Sequence, residues 1–416
     1  MKTIKSICLS LLIVAGAQVG ASGQPSSTNI NPALTYYQAF LATPELAPAD
    51  REFLLVTNYW QGQKLSKRFG DLVGRYDGQF GLLRQAARSA APCDWGIDPS
   101  PGPATALPHL ARGKAVAIAA RVRTLWDLQR GRPADACDDL IASFVLGRNL
   151  ARDGTFISAL VQFAVEAIDI YTVVENFGRF SPETLQRLLE GFEAAPARGT
   201  IAAVLPAEKS FYYDWTARKI RDLQQQNPGN DAKVMKEIGE FLALTLPDLG
   251  QTNRWERIAH AAGGTSDGVL RLLQEQARLF DRVALFLTLP YSEYEPQVKT
   301  LQREFEASPN PFINDDFPVF LQARAREFRI QVQLAMVRAA VEYKLHGEQG
   351  LQIVTDPCGQ GPFGFRRFVF KGVDRGFELK SALYPGSFQQ VLIFVEKDGP
   401  PFLVDGPRAG QARSNP

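Results

Sequence analysis

Residues 107–178 repeat one pattern three times with almost nothing in between. Ala111, Ala115, Ile118, Val122, Leu125 and Trp126 recur at the 3.6-residue period of an apolar helix face. Gly131 stops that run, as the residue that best accepts a left-handed cap. Pro133 and Asp135 suit the first turn of a second helix, where a missing N–H costs nothing and negative charge meets the positive end of the dipole. The second stripe is Ala136, Leu140, Phe144, Gly147 and Ala151. Asp153-Gly154 breaks it, and Thr155 caps a third helix with Ile157, Leu160, Val161, Ala164, Ile168 and Tyr171 on its apolar side. Connections this short leave only antiparallel packing, so the centre is expected to be a helical hairpin plus one.

The flanks continue in the same period. Helices are expected from Asn31-Pro32 onward, over 50–63 and over 64–91, followed by a crossing at 92–108 in which Pro99, Pro101, Pro103 and Pro108 exclude a helix. Ser181-Pro182-Glu183 is a helix start. Further helices are expected over 206–226, 231–246, 269–289 with Ser266 as cap, 298–305 and 317–345, the last closed by Gly347. The period then changes from 3.6 to 2. Residues 366–371, 377–383 and 388–395 read as strands, with turns at Asp374-Arg375-Gly376 and Pro385-Gly386. The expected fold is mainly α, irregular antiparallel helical hairpins or a bundle over 31–347, with a small antiparallel β module over 348–404 packed on the last helix. Residues 405–416 read as a loose tail.

The first 21 residues have the form of a secretory signal. Lys2 and Lys5 precede an apolar centre, and Val19-Gly20-Ala21 offers small residues for cleavage, so mature protein is expected to begin near Ser22. Residues 22–30 then form a polar tether. No later run approaches the roughly 18 apolar residues of a bilayer span, so no transmembrane segment is expected after the signal is removed. Taking Lys2 and Lys5 from the 46 basic residues balances the 44 acidic ones. A chain without net charge lacks the basic surface that nucleic acid requires. Of the four cysteines, Cys93, Cys137 and Cys358 lie beyond the signal; this odd count reads as one disulfide and a spare thiol, with Cys93–Cys137 as the expected pairing in an oxidising compartment, or as three buried thiols.

Two segments resemble known families. The run RGRPADACDDLIASFVLGRNLA is similar to a tetratricopeptide helix pair, with small residues Ala134 and Ala136 where helices approach, although no 34-residue period recurs. The run VRAAVEYKLHGEQGLQIVTDPCGQGPFGFRRFVFKGVDRGFELKSAL, starting at Val337, resembles the C-terminal module of type II secretion pseudopilins. The shared features are a helix ending in a tyrosine and glycine, then Asp356-Pro357-x-Gly359, then an aromatic strand and a second strand. Exported bacterial helical proteins end in a similar way. An export signal stands where pseudopilins carry their hydrophobic processed helix, so the resemblance implies a shared module and not pilus assembly.

Candidate chemistry is sparse. His109, His260 and His346 are widely separated and show no metal-ligand spacing, so neither a metal nor a cofactor is expected. A thiol nucleophile from Cys93 or Cys358 with His109 is one reading of the cysteines. Ala262-Gly263-Gly264-Thr265-Ser266 reads as a helix cap, and Asp315-Asp316 as a helix start. Phe211, Tyr212, Tyr213 and Trp215 are core residues by their helical spacing, or the wall of a ligand groove. Glu166 and Asp169 share a face of the most apolar helix. They are the candidates for acid–base hydrolysis of a glycoside. The plainer expectation is a solvent stripe with Ser158 and Gln162. Function therefore reads as noncatalytic binding or scaffolding in the bacterial cell envelope, with an envelope protein or polysaccharide as partner; the alternative is a carboxylate-dependent hydrolase of an envelope polymer.

Overall fold

A computed structural model of the chain describes residues 30–55, 60, 62–245, 253–384, 388–406 and 410–411. The signal, nearly all of the tether and the turn expected at Pro385-Gly386 lie outside them. The central run folds as α5 (Pro108–Gln129), α6 (Pro133–Leu150) and α7 (Phe156–Glu175), once α1 (Pro32–Leu41), α2 (Pro48–Leu55), α3 (Lys67–Gly74) and α4 (Asp77–Ala87) have formed ahead of them. The long helix expected over 64–91 is two, broken between Gly74 and Asp77. Downstream come α8 (Pro182–Glu193), α9 (Ile201–Glu208), a π-helical turn (Lys209–Asp214) and α10 (Trp215–Gln226). Then follow α11 (Asp231–Thr245), α12 (Arg254–Ala261), α13 (Ser266–Leu287), α14 (Tyr291–Glu306), α15 (Pro311–His346) and the single turn α16 (Glu348–Leu351).

Side-chain caps set many of the starts. Thr155, Ser181, Thr200 and Thr265 each accept the N–H of the residue three positions on, satisfying a donor the helix itself cannot. The cap of α13 is thus Thr265 and not Ser266. Asn310 caps α15 through the N–H of Phe312, with Pro311 in the first turn, so this helix starts six residues before the expected Phe317.

α7 departs most from expectation. Ile157 is exposed and Leu160, Val161, Ala164, Ile168 and Tyr171 are only partly buried. The polar stripe Ser158, Gln162, Glu166 and Asp169 is fully buried. The helix lies against α6 with this stripe inward, while its opposite side is covered by α15 and the sheet. Gly147 of α6 brings the two helices together: a Cβ there would fall 2.7 Å from a methyl of Val165. α7 is long and apolar enough to cross a bilayer by composition, yet it is a core helix here.

The chain ends in an antiparallel sheet ordered β1 (Gly364–Phe370), β2 (Val373–Lys380), β3 (Val391–Val395). The hairpin turns at Lys371-Gly372, both left-handed with φ 52° and 77°, and not at Asp374-Arg375-Gly376, which lies within β2 beside a register shift. One face packs on the helices. Phe377 and Phe394 meet Phe177 at ring distances of 5.8 and 5.2 Å, and Tyr343 meets Phe365 and Phe377 at 4.9 Å. Gly178 permits this contact, since a Cβ would strike the Glu396 backbone at 2.2 Å. Sheet and helices share one apolar cluster, which also holds Phe144, Phe317 and Val337. A second cluster gathers α1–α6, and a third α10–α13.

Of the tail expected over 405–416, the described residues 405–406 and 410–411 are not loose, and the rest lie outside the described residues. Leu392 bridges to Asp405, Ile393 N donates to Val404 O at 2.9 Å, and Gly410 N returns to Leu403 O at 2.7 Å. Asp405 accepts hydrogen bonds from Tyr171 of α7, Arg329 and Gln333 of α15, and Gln390. The free edge of β3 is covered in this way.

Candidate functional site

Glu166 and Asp169 are both completely buried, so the solvent-stripe reading is wrong. Glu166 lies between two guanidiniums. Arg148 Nε is 2.7 Å from Oε1 and Arg198 Nη2 2.6 Å from Oε2, while Gln162 Nε2 donates to Oε1 at 3.0 Å. The Gln162 carbonyl accepts Gly199 N at 2.9 Å and Arg148 donates to Pro196 O at 3.3 Å. The carboxylate thereby fastens the α8–α9 connection onto α6 and α7. Asp169 has no such partner. Ser143 is its polar neighbour, but neither carboxyl oxygen has a well-formed hydrogen bond among the described residues. Burial drives its pKa well above the usual carboxylate range, which favours the neutral acid. A pair with no solvent access and one member spent on two arginines does not present acid and base to a polymer.

Cys93, Cys137 and Cys358 are free thiols, so the expected Cys93–Cys137 disulfide is absent. Cys93 lies in the α1–α6 cluster and Cys137 in the large cluster shared with the sheet. Burial pushes the Cys93 and Cys358 thiols up to about 12 and Cys137 to about 11, which leaves all three protonated. His109 bonds elsewhere: its Nε2 is 3.1 Å from Asp153 Oδ2, and its Nδ1 is buried without a partner among the described residues. Asp356 of the Asp-Pro-x-Gly segment accepts Cys358 N at 3.0 Å, Ser381 Oγ at 2.8 Å and Ala382 N at 2.7 Å, tying that loop to the end of β2.

An open cleft of about 500 Å³ lies on the far side of His109 and Asp153. Its first wall is the proline-rich crossing, with Asp94, Trp95, Ile97, Asp98 and Ser100; its floor is the turn at Arg152 and Asp153 ahead of α7; its opposite wall is Ser210 and Phe211 of the π-helical turn with Arg218 of α10. The floor is braced from behind. Trp95 donates Nε1 to Asn149 O at 2.7 Å and stacks on His109 at 4.6 Å and on Tyr36 at 5.7 Å. Asp153 Oδ1 accepts Thr155 N at 2.9 Å. The two walls are clamped where Trp215 Nε1 reaches Ser100 O at 3.2 Å and its ring lies where a Cβ on Gly102 would stand. Gly102 is left-handed at φ 61°. π-turns are rare and recur at functional sites.

The aromatic run thus divides. Phe211 lines the cleft and Trp215 clamps it, while Tyr212 keeps a buried hydroxyl without a partner among the described residues. Gly263 and Gly264, both left-handed, end α12 ahead of the Thr265 cap. Asp315 and Asp316 do belong to the first turns of α15, where they pair with Arg254 and Arg257. Among the described residues no three His, Cys, Asp or Glu converge as for a metal. The cleft's walls are drawn from residues 94–100, 152–155 and 207–218, and no local motif announces it; the only sequence traces are the prolines and the aromatic run. Against family descriptions, curated proteins and solved structures the chain has no match.

Proposed function

We propose that this is an exported, noncatalytic binding protein of the bacterial cell envelope, with the Trp95–Phe211 cleft as its ligand site. The observation that carries the reading is a braced, open cleft whose size falls in the range of about 300–1,000 Å³ typical of small-molecule sites. His109 is packed against Trp95, and the Cys93, Cys137 and Cys358 thiols are protonated by burial. Mixed apolar and polar lining of this kind orients a ligand. The resemblances to a tetratricopeptide pair and a pseudopilin module favour the same class, since both are interaction modules. The test is co-sedimentation of purified protein with peptidoglycan and with insoluble envelope polysaccharide, with release of soluble fragments assayed in the same tubes. Saturable retention without fragment release is expected. Fragment release that grows with time would replace the binding reading with the hydrolase.

A further inference from the structure

The charges in the cleft are sorted by wall. Asp94 and Asp98 both belong to the crossing, whereas Arg152 comes from the floor and Arg218 from α10 opposite. Both arginines are exposed, and neither makes an ion pair among the described residues. The carboxylates are aimed by their own loop: Asp94 Oδ1 accepts Gly96 N at 2.9 Å, and Asp98 accepts Ser100 N at 2.9 Å and Ser100 Oγ at 2.7 Å. Each keeps acceptor capacity beyond those bonds. The third acid, Asp153, is committed to His109 and Thr155. The apolar lining is shared between the two sides, Ile97 and Trp95 with the acids and Phe211 beside Arg218.

We infer that the cleft binds a small zwitterion bearing an apolar side chain, a free amino acid or a dipeptide-sized fragment, with its ammonium on the Asp94–Asp98 wall and its carboxylate on Arg152 and Arg218. This rests on the binding reading above and narrows its ligand. Guanidinium groups suit a carboxylate because their forked donors match its two oxygens. Two carboxylates on one short loop suit the three donors of an ammonium. An anion alone would face Asp94 and Asp98 uncompensated, and a cation alone would face the arginines. A ligand carrying both charges satisfies both walls at once, and an apolar side chain between them displaces water from Phe211 and Ile97.

The experiment is titration calorimetry at low ionic strength on the full-length mature protein. The probes are Ala-Phe, its N-acetyl form, its C-terminal amide and the doubly capped form. The free dipeptide is expected to bind, and each single cap to weaken binding by about tenfold or more. The R152Q/R218Q protein, checked for native circular dichroism, is expected to lose its preference for the free carboxylate while keeping that for the free amine. The D94N/D98N protein should show the reverse. Caps without effect, or both double variants indifferent to which end is capped, would overturn the assignment. So would no binding of the free dipeptide at millimolar concentration by folded protein. If polymer is still retained in the co-sedimentation test, only the zwitterion falls; if neither ligand is held, the binding reading falls with it.

Discussion

Two carboxyl groups one helical turn apart on α7 solve burial in opposite ways. Glu166 is paired with Arg148 and Arg198, whereas Asp169 has no such partner and burial raises its pKa. Removing the charge from Glu166 strands two nearly buried guanidiniums, so Glu166→Gln is expected to cost about 3–5 kcal/mol of unfolding free energy in urea. Asp169→Asn replaces a neutral acid by a neutral amide and should cost under about 1 kcal/mol at pH 4. The two variants also part with pH. The native pKa of Asp169 is raised above the roughly 3.9 of an unfolded aspartate, so its contribution is complete below about pH 4 and is lost as pH rises towards the native value. Wild-type stability should therefore fall relative to Asp169→Asn as pH rises from about 4. Asp127, pushed up to about 6 by burial, adds a slope of the same sign that both proteins share. Urea midpoints converging rather than diverging from pH 4 upward would contradict the account.

Among the elements, the β1–β2 hairpin carries a correctable strain. Lys371 occupies a left-handed position that costs L-residues about 1–2 kcal/mol, with Gly372 already suited to the next one. Lys371→Asn creates the preferred Asn-Gly turn and should raise stability by about 0.5–1 kcal/mol, read as a shift in the thermal midpoint. A loss would mean that the Lys371 ammonium over the Phe370 ring, 5.5 Å away, matters more than the turn. The turn was misplaced in the sequence because Asp374-Arg375-Gly376 has equally good turn chemistry. Tertiary contact decided, since the Arg375 side chain is buried and donates to Lys397 O at 2.8 Å and Pro400 O at 3.0 Å. Most helices were legible, since the 3.6-residue period and the caps are local, but α12 (Arg254–Ala261) was not expected at all and α9 begins five residues before the expected Pro206. The phase of α7 was not: its polar stripe is turned inward, where Glu166 is matched by Arg148 of α6 and Arg198 of the α8–α9 connection, partners that lie outside the helix. The break at Tyr76, the π-turn and the cleft likewise depend on distant partners.

For the whole molecule, the large cluster crosses the junction at Gly347 where the period changes. Phe377 and Phe394 are fully buried only because Phe177 and Tyr343 stand against them. Residues 350–416 expressed alone should therefore be unfolded, as three short strands bury too little apolar surface by themselves. Circular dichroism should show no cooperative melt, and a sigmoidal transition would make the sheet an independent domain. Opposite faces of α5 and α6 serve two clusters, through Leu128, Leu140 and Phe144 on one side and Leu125, Ala142 and Leu146 on the other. Far-ultraviolet and tryptophan probes of the intact protein are accordingly expected to report a single transition.

Asp405 has a consequence in the order of synthesis. Its hydrogen bond to Tyr171 spans 234 residues, and its pairing with Arg329 spans 76. A chain emerging from its N-terminus makes α7 and α15 long before it makes their clasp. Until Asp405 arrives, the hydroxyl, guanidinium and amide that meet at its carboxylate lack this partner, and long loop closures of this kind are slow. The clasp between α7 and α15 therefore closes only after both helices have been made.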